Sequence, residues 1–365
     1  ELGAVYDSGA LSNRNIIING AMQVAQRGTS STGLGATSGY YTVDRMSTAF
    51  SGTAGRLTMT QESITDLPGF TKCVKLACTT ADTSIAAAEY LLFSHNIEGQ
   101  NLQHLAKGTS SAKKLTVSFY VKGNAAATYV CEMQDSNSRE ISKSFSVTTS
   151  WTRVILTYDG DTDSGGTIVN SNANGIGLIF WLHAGSNFNS GSAGDLNTSW
   201  SAAGTGTRAA GADSFFDSTS RTLFITGLQM EVGSEATPFE HRSFGDELAL
   251  CQRYYYLLQE AGLANSVNET GITCCSYGAN AFFGTIYFPV TMRATPTMSA
   301  GGSWATRNNN NEELPSGFGG LQRASPRSVL ISGTATSVSA GDAFWLEPFS
   351  GTNPNTAFMN FSSEL

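Results

Sequence analysis

Short runs in which apolar and polar residues alternate dominate the chain, and only one segment carries a helical repeat. In Thr116-Val117-Ser118-Phe119-Tyr120-Val121 every second side chain suits a core and the others suit water, which is the period of a strand with one buried face. Runs of this kind predict strands over residues 15–20, 56–61, 72–78, 87–97, 114–123, 127–134, 142–147, 152–159, 175–183 and 222–232. The first rests on the β-branched run Ile16-Ile17-Ile18, closed by the turn pair Asn19-Gly20. Many short strands with no helices between them give a sandwich or jelly roll, not a parallel sheet. The helical pattern covers 247–258, where Leu248, Cys251, Tyr255, Leu258 and Leu250, Tyr254, Leu257 recur at helical intervals between a capping Asp246 and Gly262. Beyond it, strands are expected over 282–290, 328–338, 343–347 and 357–361.

The prediction is an all-β chain: an N-terminal arm (1–11), a jelly-roll β-sandwich domain (12–242), a linker helix (243–261) and a smaller C-terminal β-sandwich domain (262–365). Residues 184–212 are Gly, Ser, Ala, Asn and Thr with few apolar residues, and a loop that long inside a domain is expected to be functional or mobile. The asparagine run from Asn308 is expected to be an exposed loop. Absence of an internal repeat argues against a β-helix or propeller.

Charged residues make up 14% of the chain, against a usual ~25%, which fits sheets better than salt-bridged helices. The net charge of -8, with no clustered Lys and Arg, excludes a phosphate-binding surface, so no nucleic acid partner is expected. No apolar run reaches the ~18 to 20 residues of a bilayer span and no signal-peptide pattern opens the chain, so membrane insertion is not expected. Because the first residue is Glu1, the chain reads as processed or as an excerpt. Six cysteines without a CxxC pair, and only four histidines, are expected to be buried free thiols rather than a zinc site.

Asp159, Asp161 and Asp163 alternate before Gly165-Gly166 as in calcium loops, yet Ser164 and Asn170 stand where such a loop has Gly and Glu. A solvated turn is the reading, with calcium the alternative; no other cofactor is expected. Glu62 with Asp66, Glu98, Glu132 with Asp135, Glu231 and Glu240 are carboxylates that a glycosidase pair would need, but no flanking pattern fixes a cleft around them. His95, His104, His183 and His241 form no motif and no Gly-x-Ser-x-Gly elbow is present, so no enzymatic activity is expected. Aromatic residues remain, because sugars stack their C–H faces on Trp and Tyr. Trp151 and Trp181 read as core, while Tyr40, Tyr41, Trp200 and Trp304, in or beside Gly-, Ser- or Asn-rich loops, are the glycan-binding candidates. Tyr254, Tyr255 and Tyr256, if helical, would point ~100° apart, so they are the candidates for a subunit interface.

Three stretches resemble a family of bacteriophage tail-fibre and related virion proteins: NRNIIINGAMQVAQRG (13–28), IEGQNLQHLAKGTSSAKKLTVSFYVKG (97–123) and LFITGLQMEVGSEATPFEHRSFGDELALCQRYYY (223–256). The opening and closing strands also look like those of jelly-roll carbohydrate-binding modules. This resemblance implies a glycan-binding sandwich whose first and last strands lie together, in a homotrimeric appendage that contacts host surface carbohydrate and other virion proteins. It further implies a location in the virion after synthesis in the host cytoplasm. Such modules often hold calcium between those two strands, but Ala21, Met22, Gln23 and Gly227, Leu228, Gln229 occupy the places here, leaving Glu231 as a lone carboxylate. Two other readings stand beside it: a structural virion subunit, such as a capsid decoration or tail connector, and an accessory carbohydrate module of a glycan-degrading enzyme.

Overall fold

The computed structural model describes residues 13–204, 206–259, 270–307, 312–313, 318–335, 338–348 and 357–365; the arm expected over 1–11 lies outside them, as does part of the asparagine-run loop. The chain divides into two compact units, 1–247 with 365, and 248–364.

The first unit is a sandwich of two antiparallel sheets. One runs in the order Ser30–Leu34, Arg56–Ser63, Lys72–Thr80, Thr222–Val232, Leu115–Gly123, Thr152–Tyr158. The other runs Ser201–Ala202, Arg139–Val147, Ala127–Asp135, Asn174–Ala184, Tyr90–Glu98, Ser47–Ser51, Gly39–Tyr40. The alternation that marked the strands sends Leu57, Met59, Val74, Leu76, Val117 and Phe119 of one sheet against Phe93, Met133, Phe145, Leu178 and Phe180 of the other. Phe119, Phe145 and Phe180 meet edge to face with centroids 5.1 to 5.9 Å apart. Burying each such side chain contributes about 1.5–3 kcal/mol.

The Asn15–Gly20 run is not a strand. Its two asparagines bond the backbone themselves: Asn15 Oδ1 accepts from Ile17 N (3.0 Å) and Met230 N (3.1 Å), and Asn19 Oδ1 accepts from Val24 N (3.0 Å) with Asn19 at φ 62°. These local bonds outcompete a ladder. The segment still lies along the closing strand, through Ile16 N to Met230 O and Leu228 N to Gly20 O, both 2.9 Å. The approach is so close that a Cβ on Gly20 would fall 2.0 Å from the Leu228 oxygen.

The second unit pairs a three-stranded sheet, Tyr255–Gln259, Phe358–Ser362, Thr297–Gly301, with a seven-stranded one. The latter runs Glu312–Glu313, Trp304–Arg307, Ala343–Pro348, Ile272–Gly278, Ala281–Tyr287, Ser328–Thr334, Phe318–Ala324. Phe282, Ile286, Trp304, Ile331, Phe344, Met359 and Phe361 form its core.

The α-helix spans Phe244–Gln252, opened by Ser243, whose Oγ accepts from Asp246 N at 3.2 Å. It stops short of the expected 258. Tyr255–Gln259 is a strand, with Tyr255 opposite Ser362 and Tyr256 opposite Phe361. Consecutive aromatics fit a pleated, half-buried surface better than a helix once a partner strand is available. Tyr254 and Tyr255 are buried, and the half-buried Tyr256 ring lies near parallel to that of Phe361 (17°, centroids 6.3 Å) and edge-on to Phe288. The three tyrosines therefore do not radiate from a helix, and the reason for expecting a subunit contact there falls away.

Candidate functional site

The aspartate turn is built around a lysine. Lys107 Nζ reaches Asp161 Oδ2 (2.8 Å), Gly166 O (3.1 Å) and, closer still, Asp135 Oδ2. Arg139 adds a two-pronged contact to Asp161, at 2.7 and 2.9 Å. Asp163 Oδ1 accepts from Gly165 N, and exposed Asp159 pairs with Lys114. An ammonium thus occupies the centre that the calcium alternative assigned to a metal, and Asp161 and Asp135 are already engaged. A Cβ on Gly166 would sit 2.2 Å from Asp161 Oδ2, so the turn needs glycine there. Between the opening and closing segments Glu231 is likewise engaged, by Gln229 Nε2 (2.8 Å), Thr237 N (2.9 Å) and Thr237 Oγ1 (2.7 Å).

Trp200 covers this cluster. Lys107 Nζ lies 4.0 Å from its ring centroid, Nε1 donates to Asp159 O (2.8 Å), and the half-buried ring packs on the main core. That cation–π contact takes up a face that a sugar would need. Tyr40, half-buried, lies beside the guanidinium groups of Arg27 (5.4 Å) and Arg45 (5.9 Å), and Tyr41 donates its hydroxyl to Thr37 O. Trp304 is 1% exposed, on a strand, with Nε1 donating to Gly301 O; it is core and not a surface aromatic. The surrounding Gly and Ser made it look like a loop residue, but pairing of Trp304 with Pro348 turns its ring inward. Trp151, expected in the core, is half-buried and donates Nε1 to Asp66.

The 184–212 excursion folds back onto the outer face of its sheet. Leu196, Ala209 and Ala210 pack on Val130 and Trp181. Beneath it Arg208 clasps Glu132 through Nε (2.9 Å) and Nη2, and its Nε lies 2.7 Å from Glu140 Oε2. Burial first, and then the neighbouring Glu132 charge, push the Glu140 carboxyl up to about 7. One raised carboxyl beside a charged one is the pairing that acid–base chemistry uses, but both glutamates are fully buried. A folded-state value above the unfolded one means that the folded chain binds the extra proton between pH ~4.5 and ~7, so stability falls as pH rises through that window. Glu140→Gln is expected to remove this decline. Urea denaturation of both proteins at pH 4.5, 5.5, 7 and 8 checks it; parallel curves refute it.

Large aromatics lie open to solvent on the seven-stranded sheet of the second unit. Along Ile272–Gly278 the residues Ile272, Cys274 and Ser276 point inward while Thr273, Cys275 and Tyr277 point outward. On Ala281–Tyr287 the outward set is Phe283, Thr285 and Tyr287, and on Ala343–Pro348 it includes Ala343 and Trp345. Register places Thr273 opposite Trp345 and Cys275 opposite Phe283, so all belong to one face. Tyr277, Tyr287 and Trp345 are 59%, 77% and 60% exposed. Tyr277 stacks on Phe283 at 4.2 Å and 11°. Phe283 to Tyr287 spans ~14 Å along the strand, and Trp345 lies ~10 Å across. The strands Ile272–Gly278, Ala281–Tyr287 and Ser328–Thr334 contain no Asp, Glu, Lys or Arg. The result is a surface of aromatic rings and hydroxyls, uncharged over these three strands and bordered by charge at its edges: Arg307 lies opposite Trp345 and pairs with Glu347 at 3.4 Å, and Arg323 lies opposite Leu330. Alternation in ITCCSYG and AFFGTIY carried this signal; which of the two faces stays open did not follow from it.

No protein-family model matches the chain, and no curated protein matches it. Solved structures do. The enzymatically active domain of tailspike protein 4 of bacteriophage CBA120 aligns over 60% of this chain at 10% identity, TM-score 0.31, with 21% of its own length covered. TmCBM61, solved with β-1,4-galactotriose, aligns over 60% of this chain and 100% of its own at 10% identity, TM-score 0.30. The family 11 carbohydrate-binding module of the Clostridium thermocellum cellulosomal cellulase Lic26A-Cel5E aligns over 57% of this chain and 98% of its own at 11% identity, TM-score 0.27. The chain spans about a fifth of the tailspike domain. Scores this low leave the likeness as a description and extend it to no site.

Proposed function

We propose that this chain is a non-catalytic glycan-binding protein of a phage virion, and that the open face bearing Trp345, Tyr287 and the Tyr277–Phe283 stack is its sugar contact. The observation that carries this reading is the chemistry of that face. Rings offer stacking surface for sugar C–H groups, Thr273 and Thr285 offer hydroxyls between them, and the Arg307–Glu347 pair beside Trp345 offers polar groups to sugar hydroxyls. Exposed aromatics of this number are costly unless something covers them. The three sequence stretches that resemble tail-fibre proteins support the virion location, the homotrimer and contact with other virion proteins. Glu132 and Glu140, locked by Arg208, and Asp135 and Asp161, locked by Lys107, support a chain that binds without hydrolysing.

Affinity electrophoresis and a glycan array, run with the parent, Trp345→Ala and Tyr287→Ala, test the reading. The expected result is saccharide binding by the parent that weakens at least tenfold in Trp345→Ala, about 1.4 kcal/mol, with melting unchanged because the ring is already in solvent. If the parent binds no saccharide while Trp345→Ala lowers its mass in light scattering, the face is a subunit contact and the structural-subunit reading replaces this one. Release of reducing ends from any array glycan would overturn the non-catalytic part.

A further inference from the structure

At one end of the first unit's seven-stranded sheet, Asp82, Glu89 and His183 bring one ligand atom each to within 4.8 Å of one another, all three buried. We propose that these residues form a site for a zinc-like divalent transition-metal ion, bound through His183 Nε2 and one oxygen from each carboxylate. The residues lie 7 and 94 positions apart, which is why no spacing motif announced them.

Two buried polar atoms in this cluster have no partner: Glu89 Oε2 and His183 Nε2. They face each other at 3.6 Å, too far for a hydrogen bond and close to the ~3.4 Å edge of a tetrahedral site with ~2.1 Å bonds. His183 is presented by an irregularity in its strand, where Trp181 pairs with Leu92 but His183 pairs with Leu91, so that one extra residue re-aims the ring. Its other nitrogen, Nδ1, lies 2.7 Å from Ser214 Oγ, which also accepts from Phe216 N at 3.1 Å. Ser214 Oγ has a lone pair left over to accept the Nδ1 proton, which is the tautomer that a metal on Nε2 requires. This is the outer-shell arrangement that metal-binding histidines use. Asp82 is fixed in turn by Thr53 Oγ1 and Ala54 N, both 2.8 Å from its Oδ2.

Charge points the same way. Two carboxylates share this buried pocket, and among the ion pairs of the described residues no Lys or Arg joins either of them. The donor set discriminates among ions: one imidazole nitrogen with two carboxylate oxygens suits zinc and its first-row neighbours, whereas calcium takes six to eight oxygens. Bound there, the ion would tie the Asp82–Glu89 connection to the end of the His183 strand.

The test uses the full chain, without an affinity tag, stripped with chelator and titrated with zinc against a chromophoric chelator, with a parallel cobalt titration read by visible absorption. Expected are one tight equivalent, a melting temperature higher by several degrees when metal is in excess, and a cobalt spectrum of nitrogen and oxygen ligation without thiolate charge transfer. His183→Gln and Glu89→Gln are expected to abolish the tight equivalent. Ser214→Ala, which leaves all three ligands in place, is expected to weaken it 10- to 100-fold. The proposal is overturned by absence of tight uptake in the parent, by uptake unchanged in Glu89→Gln and Ser214→Ala, or by uptake lost only in Cys275→Ser, which would place the metal on the exposed thiol.

Discussion

Lys107→Met is expected to destabilise the first unit by about 3–5 kcal/mol, because it removes one partner from a buried ion cluster and leaves the others charged. The Lys107 side chain is 4% exposed, and those of Asp135 and Asp161 are 0% and 2% exposed, so water cannot replace the ammonium. Arg139 still serves Asp161, but Asp135 keeps only backbone donors, from Asn137 and Arg139 (2.9 Å each). Trp200 also loses the cation beneath its ring. Combining Lys107→Met with Asp135→Asn is expected to recover a large part of the loss, since the uncompensated charge goes with it. A sum of the two single losses in the double variant, measured by urea denaturation, would refute the charge argument. The cluster also sets an acid limit. Burial raises the Asp161 carboxyl, but the bonds from Arg139 and Lys107 outweigh that and hold it at about 2. A folded-state value below the unfolded one contributes stability above pH ~4 that is lost as pH falls toward 2.

Trp304→Ala is expected to cost the second unit about 3–5 kcal/mol, the usual range for emptying a fully buried Trp site. The ring lies among Phe344, Leu346 and the rest of that unit's core, and its Nε1–H is satisfied by Gly301 O, so neither a collapsing cavity nor water replaces it. Trp345, on the strand paired with that of Trp304, is the internal comparison: it faces outward, and its removal is expected to change stability by under ~0.5 kcal/mol. Hydrogen exchange followed by mass spectrometry separates the units. Faster exchange in Ile272–Gly278 and Ser328–Thr334 for Trp304→Ala, with the first unit unchanged, is the predicted pattern; unchanged exchange there would show that Trp304 is not core.

These two tryptophans mark how much the sequence disclosed. Strands came through where alternation was long and uninterrupted, as in Leu115–Gly123 and Thr222–Val232, because burial of one face outweighs the other local preferences there. In the Asn15–Gly20 run the β-branched residues favour a strand, but the asparagine amides decide the backbone path. Tyr254-Tyr255-Tyr256 misled because a repeat of three and four cannot be told from a strand over so few residues when the partner strand is about a hundred residues away. Trp304 and Trp345 differ only in which side of a pleat they occupy, and that depends on where the three-stranded sheet packs. The Lys107 cluster and the Asp82, Glu89 and His183 pocket were illegible for the same reason: their members come from distant segments that only the completed sandwich brings together.

The free cysteines make this protein its own labelling reagent. Five of the six thiols are buried, and burial pushes those of Cys73, Cys131 and Cys274 up to about 12, where almost no thiolate forms at neutral pH. Cys275 alone is exposed, opposite Phe283 and within the aromatic face. A maleimide dye added to the unmodified chain should therefore attach at one position, a side chain away from Tyr277 and Thr273, where its emission would report anything that settles on those rings.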